Sequence, residues 1–164
     1  MIISSATLDE RKFSKFFSNA PVVTVEGELF PVDVRYLHGA TSASSDKVPI
    51  VVQMVKEINR SEGPGDILVF MAGQDEIEHV CEELAEQQSY YSNSVASSPG
   101  TANLLALQVF PAFAALPMSK LAEIFAPTMP GHRKVVVATN IAESSITVDG
   151  VRFIIDCGKV KQNW

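Results

Sequence analysis

The sequence predicts an α/β fold built on a parallel, doubly wound sheet, and three observations carry that expectation. Short apolar runs alternate along the chain with segments of helical period. Two of these runs, Val135–Ala138 and Val151–Ile155, are rich in β-branched residues, show no polar alternation and are bounded by turn signals, as buried parallel strands are. The polar stretch between them, Thr139–Thr147, is dense in hydroxyls and begins just past a strand's carboxyl end, where open α/β sheets place ligands. At 164 residues the chain is long enough to bury a sizeable core.

The elements follow in order. Met1–Ser4 reads as the tail of a strand. Asp9–Phe17 reads as a short helix, with Asp9 placed to cap it and Leu8, Phe13, Phe16 and Phe17 on one side. Val22–Val25 and Val32–Leu37 are strand candidates separated by Glu26-Gly27 and Pro31. Val48–Ile58 has helical period with Val51, Val52, Val55 and Ile58 inward. After the turn Gly63-Pro64-Gly65-Asp66, Ile67–Met71 is a buried strand. Gln74–Gln87 is the clearest helix: Ile77, Val80, Cys81 and Leu84 form its apolar stripe, and early acidic residues favour its positive end. Ser89–Asn103 has loop composition and is expected to be mobile. Leu104–Phe110 is a strand, Met118–Phe125 a helix and Pro127–Gly131 a turn, before the two strands already named.

Composition narrows the functions. Net charge is −6, so a general coat for nucleic acid, which works by phosphate neutralisation, is disfavoured. Any RNA contact would be a small local site of hydroxyls and backbone N–H groups. Cys81 and Cys157 form no CxxC pair, and His38, His79 and His132 lack ligand spacing, so structural zinc is not expected and the cysteines read as reduced, buried thiols. The start, MIISSATLDERK, has no basic region or long apolar core and reads as no signal peptide. The longest apolar run, Leu104–Leu116, is interrupted by Gln108 and Pro111 and is too short to span a bilayer.

Several short segments could carry chemistry. Ser5-Ala6-Thr7 presents two hydroxyls after a strand. Gly73-Gln74 opens a helix after a strand, where free N–H groups and the dipole attract anions, and glycine admits a close backbone approach. Thr139-Asn140-Ile141-Ala142-Glu143-Ser144-Ser145-Ile146-Thr147 with Asp149 offers four hydroxyls, an amide and two carboxylates, but no Lys, Arg, His or Cys. That set suits orienting phosphate, ribose or water, not metal thiolates or a nucleophile–base pair. Each also has a plain structural reading as a turn former, Asp149-Gly150 above all. Phe125 reads on pattern alone as a core residue. Arg133 and Lys134 read as solvated surface.

TNIAESSITVDG resembles motif V of the DEAH-box ATP-dependent RNA helicases. Ser5-Ala6-Thr7-Leu8-Asp9 resembles their motif III, and ILVFMAGQDEI over Ile67–Ile77 their motif IV. GDILVF and IIDCGKVKQ are most similar to the spliceosomal and related RNA-processing members. The resemblance implies a RecA-like lobe of the P-loop NTPase type. Residues 1–20 would be the end of the first lobe with motif III, and residues 21–164 the second lobe, cut before the arginine-finger motif. It implies that Ser5 and Thr7 couple the ATP and RNA sites, that Gly73, Gln74 and Thr139 contact the RNA backbone, and that Ser145 helps position the attacking water. Thr147 and Asp149 would face the nucleotide and Phe125 would stack on adenine. The family usually has Thr or Ser where Ala72 stands, which removes a hydroxyl, and Thr where Ser144 stands, which keeps one.

The resemblance further implies ATP with Mg²⁺, the metal ligands lying on the first lobe, and single-stranded RNA, the other domains of a longer parent and a G-patch-type activator as partners. No membrane partner is expected, and the compartment is intracellular, with the nucleus favoured and the cytoplasm the alternative. The chain holds no G-x-x-x-x-G-K-[ST], no Asp-Glu-Ala-His and no QRxGRxGR. Phosphoryl transfer needs all three parts, so the chain alone is expected to be inactive. The alternatives are a non-catalytic RecA-like interaction module, suggested by the acidic helix Asp75–Glu86, and an unrelated nucleotide-binding α/β domain, for which no G-x-G-x-x-G is present.

Overall fold

The computed structural model describes residues 2–4, 9–25, 30–37, 46–94, 104–139 and 148–158, apart from the side chains of 87–94. The chain divides into two compact units, residues 1–40 and 41–164.

In the first unit, α1 spans Glu10–Phe16. Asp9 caps it as the sequence suggests, its carboxylate accepting from the Lys12 N–H at 3.1 Å. Phe17 closes the helix by donating to the Phe13 carbonyl, and Ser18 and Asn19 turn the chain out through positive φ. The two expected strands that follow do not form: residues 20–25 and 30–37 have no ladder among the described residues. Val23, Val25, Val32 and Tyr36 are largely exposed. Their β-branched and aromatic composition fits a pleated surface, but propensity without a partner strand makes no strand.

The second unit carries the sheet. Its strands are β1 (Asp66–Phe70), β2 (Ala106–Ala112), β3 (His132–Ala138) and β4 (Val151–Asp156), in the order β2-β3-β1-β4. All three pairings are parallel. Helices α2 (Val48–Ser61) and α3 (Gln74–Ser94) cover one face and α4 (Met118–Phe125) packs on the other. The period-2 alternation of strands assigns the two cores. Ile67, Val69, Val135 and Val137 meet Val51, Val55, Ile77 and Val80 of α2 and α3. Leu68, Phe70, Val136 and Ala138 meet Leu121 and Ile124 of α4. β1 and β3 are central, which is why Ile67, Val69 and Val135–Ala138 are fully buried.

Three expectations shift. β4 is not a buried strand: it forms a sheet edge among the described strands, and Ile154 is 63% exposed. α3 runs on through Ser94, so the expected loop from Ser89 loses its first turns to helix. Extending an existing helix adds one bond per residue fixed, which a polar tail can follow. β2 runs two residues past the expected end and includes Pro111, tolerated because an edge strand has one side free of ladder bonds. Cys81 lies half-buried on α3, where burial, aided by Glu78 and Glu82, pushes its thiol up to about 12. It therefore stays a neutral packing group near pH 7.

Candidate functional site

The described site residues fall at opposite edges of the sheet. At the carboxyl edge, Phe70 pairs with Ala138, and the Met71 N–H donates to the Ala138 carbonyl at 2.9 Å. The chain thus leaves β1 towards Gly73 and Gln74 beside the point where β3 runs into Thr139. Thr139 donates its N–H to the Ala112 carbonyl at 3.2 Å, while its buried Oγ1 has no hydrogen-bond partner. A Cβ on Gly73 would meet nothing within 4 Å, so the backbone here is open to approach. The neighbouring polar groups are partly engaged: the Ala72 N–H donates to the Glu76 carboxylate at 3.1 Å, and the Gln74 amide to Glu78 at 2.8 Å.

Phe125 and Asp149 lie at the amino edge, about 20 Å away along seven residues of β3. Both are exposed, Phe125 by 50%. Asp149 precedes β4 in a turn whose Gly150 carbonyl accepts from the Asp66 N–H at 2.9 Å. Phe125 ends α4, and the segment after it is held by Thr128, whose hydroxyl donates to Asp66 Oδ2 at 2.6 Å. Gly150 sits at φ +85, and a Cβ there would come within 3.0 Å of Asp66 Oδ2. Left-handed backbone and this close approach together call for glycine. Gly150→Ala is expected to cost about 1–3 kcal/mol, read as a lowered denaturation midpoint in urea; an unchanged midpoint would contradict the packing described.

Arg133 and Lys134 are not surface residues. They are 1% and 3% exposed, because adjacent strand residues point to opposite faces and each meets a helix end there. Arg133 donates to the carbonyls of Ile58 (3.0 Å), Glu62 (3.2 Å) and Gly63 at the end of α2, and stacks over the Phe153 ring at 5.4 Å. Lys134 donates its ammonium to the carbonyls of Ile124 (2.9 Å) and Ala126 at the end of α4. Helix C-termini present unsatisfied carbonyls and partial negative charge, so a buried cation is matched there. Burial pulls the Arg133 guanidinium below its ordinary value, with Asp66 and Glu62 pushing back. Reading the sequence missed these roles and that of Asp66. The available signal was a charged residue or pair directly abutting a β-branched run.

Ser5, Thr7, Ser145 and Thr147 lie outside the described residues. Among the described residues no three His, Cys, Asp or Glu side chains converge as metal ligands. None of the described helices is long and apolar enough to cross a membrane.

Comparison with known proteins bears on this arrangement. Residues 46–163 match the family described as helicase conserved C-terminal domain. The chain is 40% identical over 163 residues to the pre-mRNA-splicing factor ATP-dependent RNA helicase prp22 of Schizosaccharomyces pombe, aligning 99% of this chain and spanning 13% of that protein. Two solved structures of Escherichia coli HrpB, titled a DExH-box NTPase and a DEAH/RHA helicase, are each 34% identical and superpose on 96% of the chain with TM-scores of 0.69 and 0.72. They correspond to 17% and 18% of those chains. The parallel sheet with helices on both faces is thus the RecA-like helicase fold, and the resemblance carried by the motifs is upheld. The chain belongs to the helicase conserved C-terminal domain family, and its relatives are DEAH-box RNA helicases.

Proposed function

We propose that these residues are the second RecA-like lobe of an ATP-dependent RNA helicase, supplying half of an ATP cleft and half of an RNA track. The observation that carries this reading is the segregation of the site residues. A motor that converts nucleotide state into movement on a strand needs two separate sites on one rigid body. Gly73, Gln74 and Thr139 form one candidate set at the carboxyl edge, with an unspent Thr139 hydroxyl of the kind a phosphate oxygen accepts from. Phe125 and Asp149 form the other, an exposed ring and an exposed carboxylate on one anchored edge, suited to a base face and a ribose hydroxyl.

On this reading Ser145 positions the attacking water and Thr147 joins Asp149 at the nucleotide, while Ser5 and Thr7 link the two sites. The Mg²⁺ that accompanies ATP would neutralise phosphate charge from ligands outside the described residues. RNA processing in the nucleus is the favoured setting, in keeping with the pre-mRNA splicing that prp22 is named for, with single-stranded RNA, the remaining helicase domains and a G-patch-type activator as partners. The test is RNA-stimulated ATP hydrolysis by the full-length protein and its Ser145→Ala variant. Turnover that rises with RNA and falls about 100-fold or more in the variant is expected, in line with loss of a group that orients the reacting atoms. A folded full-length protein with no turnover would instead favour a non-catalytic interaction module, for which the acidic face of α3 (Asp75, Glu78, Glu82) is the available surface.

A further inference from the structure

We infer that Asp66, acting through Thr128 and the Gly150 carbonyl, is a positioning residue that fixes the spacing of Phe125 and Asp149; the inference rests on the nucleotide reading above. Asp66 is buried, and its polar groups are all engaged. Oδ1 accepts from the Lys134 N–H at 2.8 Å, Oδ2 from the Thr128 hydroxyl at 2.6 Å, and its own N–H donates to Gly150. Strand β1 needs only the backbone bond at this position. The carboxylate adds something the sheet does not require: it ties the segment after α4 to the residue whose backbone N–H holds the turn before β4. These two pieces of chain are more than twenty residues apart in sequence and pair with each other through no strand bond.

Lys134 completes the clamp from the other side of Phe125. Its ammonium holds the carbonyls of Ile124 and Ala126, so the residues on both sides of Phe125 are tied to β3 while the ring itself faces outward. A base and a ribose are linked at fixed distance in a nucleoside. Two exposed side chains can engage both at once only if their separation is fixed beforehand, because ordering them on binding costs affinity. A half-buried hydrogen bond donated by Thr128 to the Asp66 carboxylate is a rigid way to fix it.

Thr128→Val removes the donor while keeping the shape, and Thr128→Ser restores it. In the full-length protein with RNA present, Thr128→Val is expected to raise the KM for ATP roughly three- to tenfold, since loss of one ordinary hydrogen bond has about that effect. The kcat should stay within about twofold, RNA affinity without nucleotide should hold, and Thr128→Ser should be close to wild type. In the 164-residue chain itself, Thr128→Val should shift the backbone amide resonances of Asp149 and Gly150. A merely structural bond would lower kcat in step with the folded fraction and leave KM alone; that result, or unmoved Asp149 and Gly150 resonances, would overturn the inference. A wild type that hydrolyses ATP with a Thr128→Val KM unchanged defeats the positioning role alone. A folded wild type without turnover defeats the nucleotide reading and the positioning role together, whatever the resonances do.

Discussion

Arg133→Ala is expected to lower stability by about 3–5 kcal/mol, because it removes several buried hydrogen bonds and the packing of a large buried side chain together. The guanidinium serves three carbonyls at the end of α2 and lies over Phe153 of β4, so one side chain joins a helix to two strands. A single charge-assisted bond is worth about 1.5–3 kcal/mol and the ring contact about 0.5–2 kcal/mol, and contacts shared by one side chain do not add in full. Truncation also opens a cavity under the α2–sheet core. For a domain of this size each kcal/mol shifts the melting temperature by about 2–4 °C, so a fall of about 10 °C by calorimetry is expected. Arg133→Lys should recover less than half of it, since an ammonium on a shorter reach cannot span three acceptors arranged for a planar fork. An Arg133→Ala melt within about 2 °C of wild type would contradict the described role.

Phe125→Ala is expected to raise the KM of the full-length protein for ATP by about tenfold to a hundredfold. Stacking on an aromatic ring is worth about 1–3 kcal/mol per base by alanine substitution. The effect should fall on every purine triphosphate and spare RNA affinity, because the ring offers a π-face and no hydrogen-bond code. It should also spare stability. Phe125 is half exposed, and the buried contact of α4 with the sheet is made by Ile124 instead. A melting temperature lowered as much as by a core truncation would return Phe125 to its plain reading as a packing residue.

The pattern of the chain announced the central part of this fold and not its margins. Val135–Ala138 and Ile67–Val69 read as buried strands because they lie in the middle of the sheet, where both faces are covered and no alternation is needed. The same composition in Val151–Ile155 misled, since strand order, not local sequence, put β4 at an edge. The valines of residues 22–25 and 32–34 misled more: strand formation needs a neighbour, and no residue of the segment encodes one. Arg133-Lys134 looked like a solvated pair because charge is usually solvated. What buries them is the arrival of two helix C-termini on opposite faces of the sheet, a fact of topology.

The site was legible as residue types and not as places. Hydroxyl-rich Thr139–Thr147, Gly73-Gln74 and Asp149-Gly150 stood out by composition and motif, yet nothing in their spacing told that Thr139 and Asp149, ten residues apart, lie at opposite ends of the strands. Asp66 was hidden inside a Gly-Pro-Gly-Asp turn signal, because its partners Thr128 and Gly150 come from distant segments.

If one lobe carries two separate sites, a pair of variants will separate them. RNA affinity without nucleotide and the KM for ATP would be measured side by side for Thr139→Val and Phe125→Ala in the full-length protein. A crossed result is expected: Thr139→Val weakens RNA binding and leaves the KM for ATP in place, while Phe125→Ala raises that KM and leaves RNA binding in place. Both variants weakening the same single property, or neither weakening either, would contradict it.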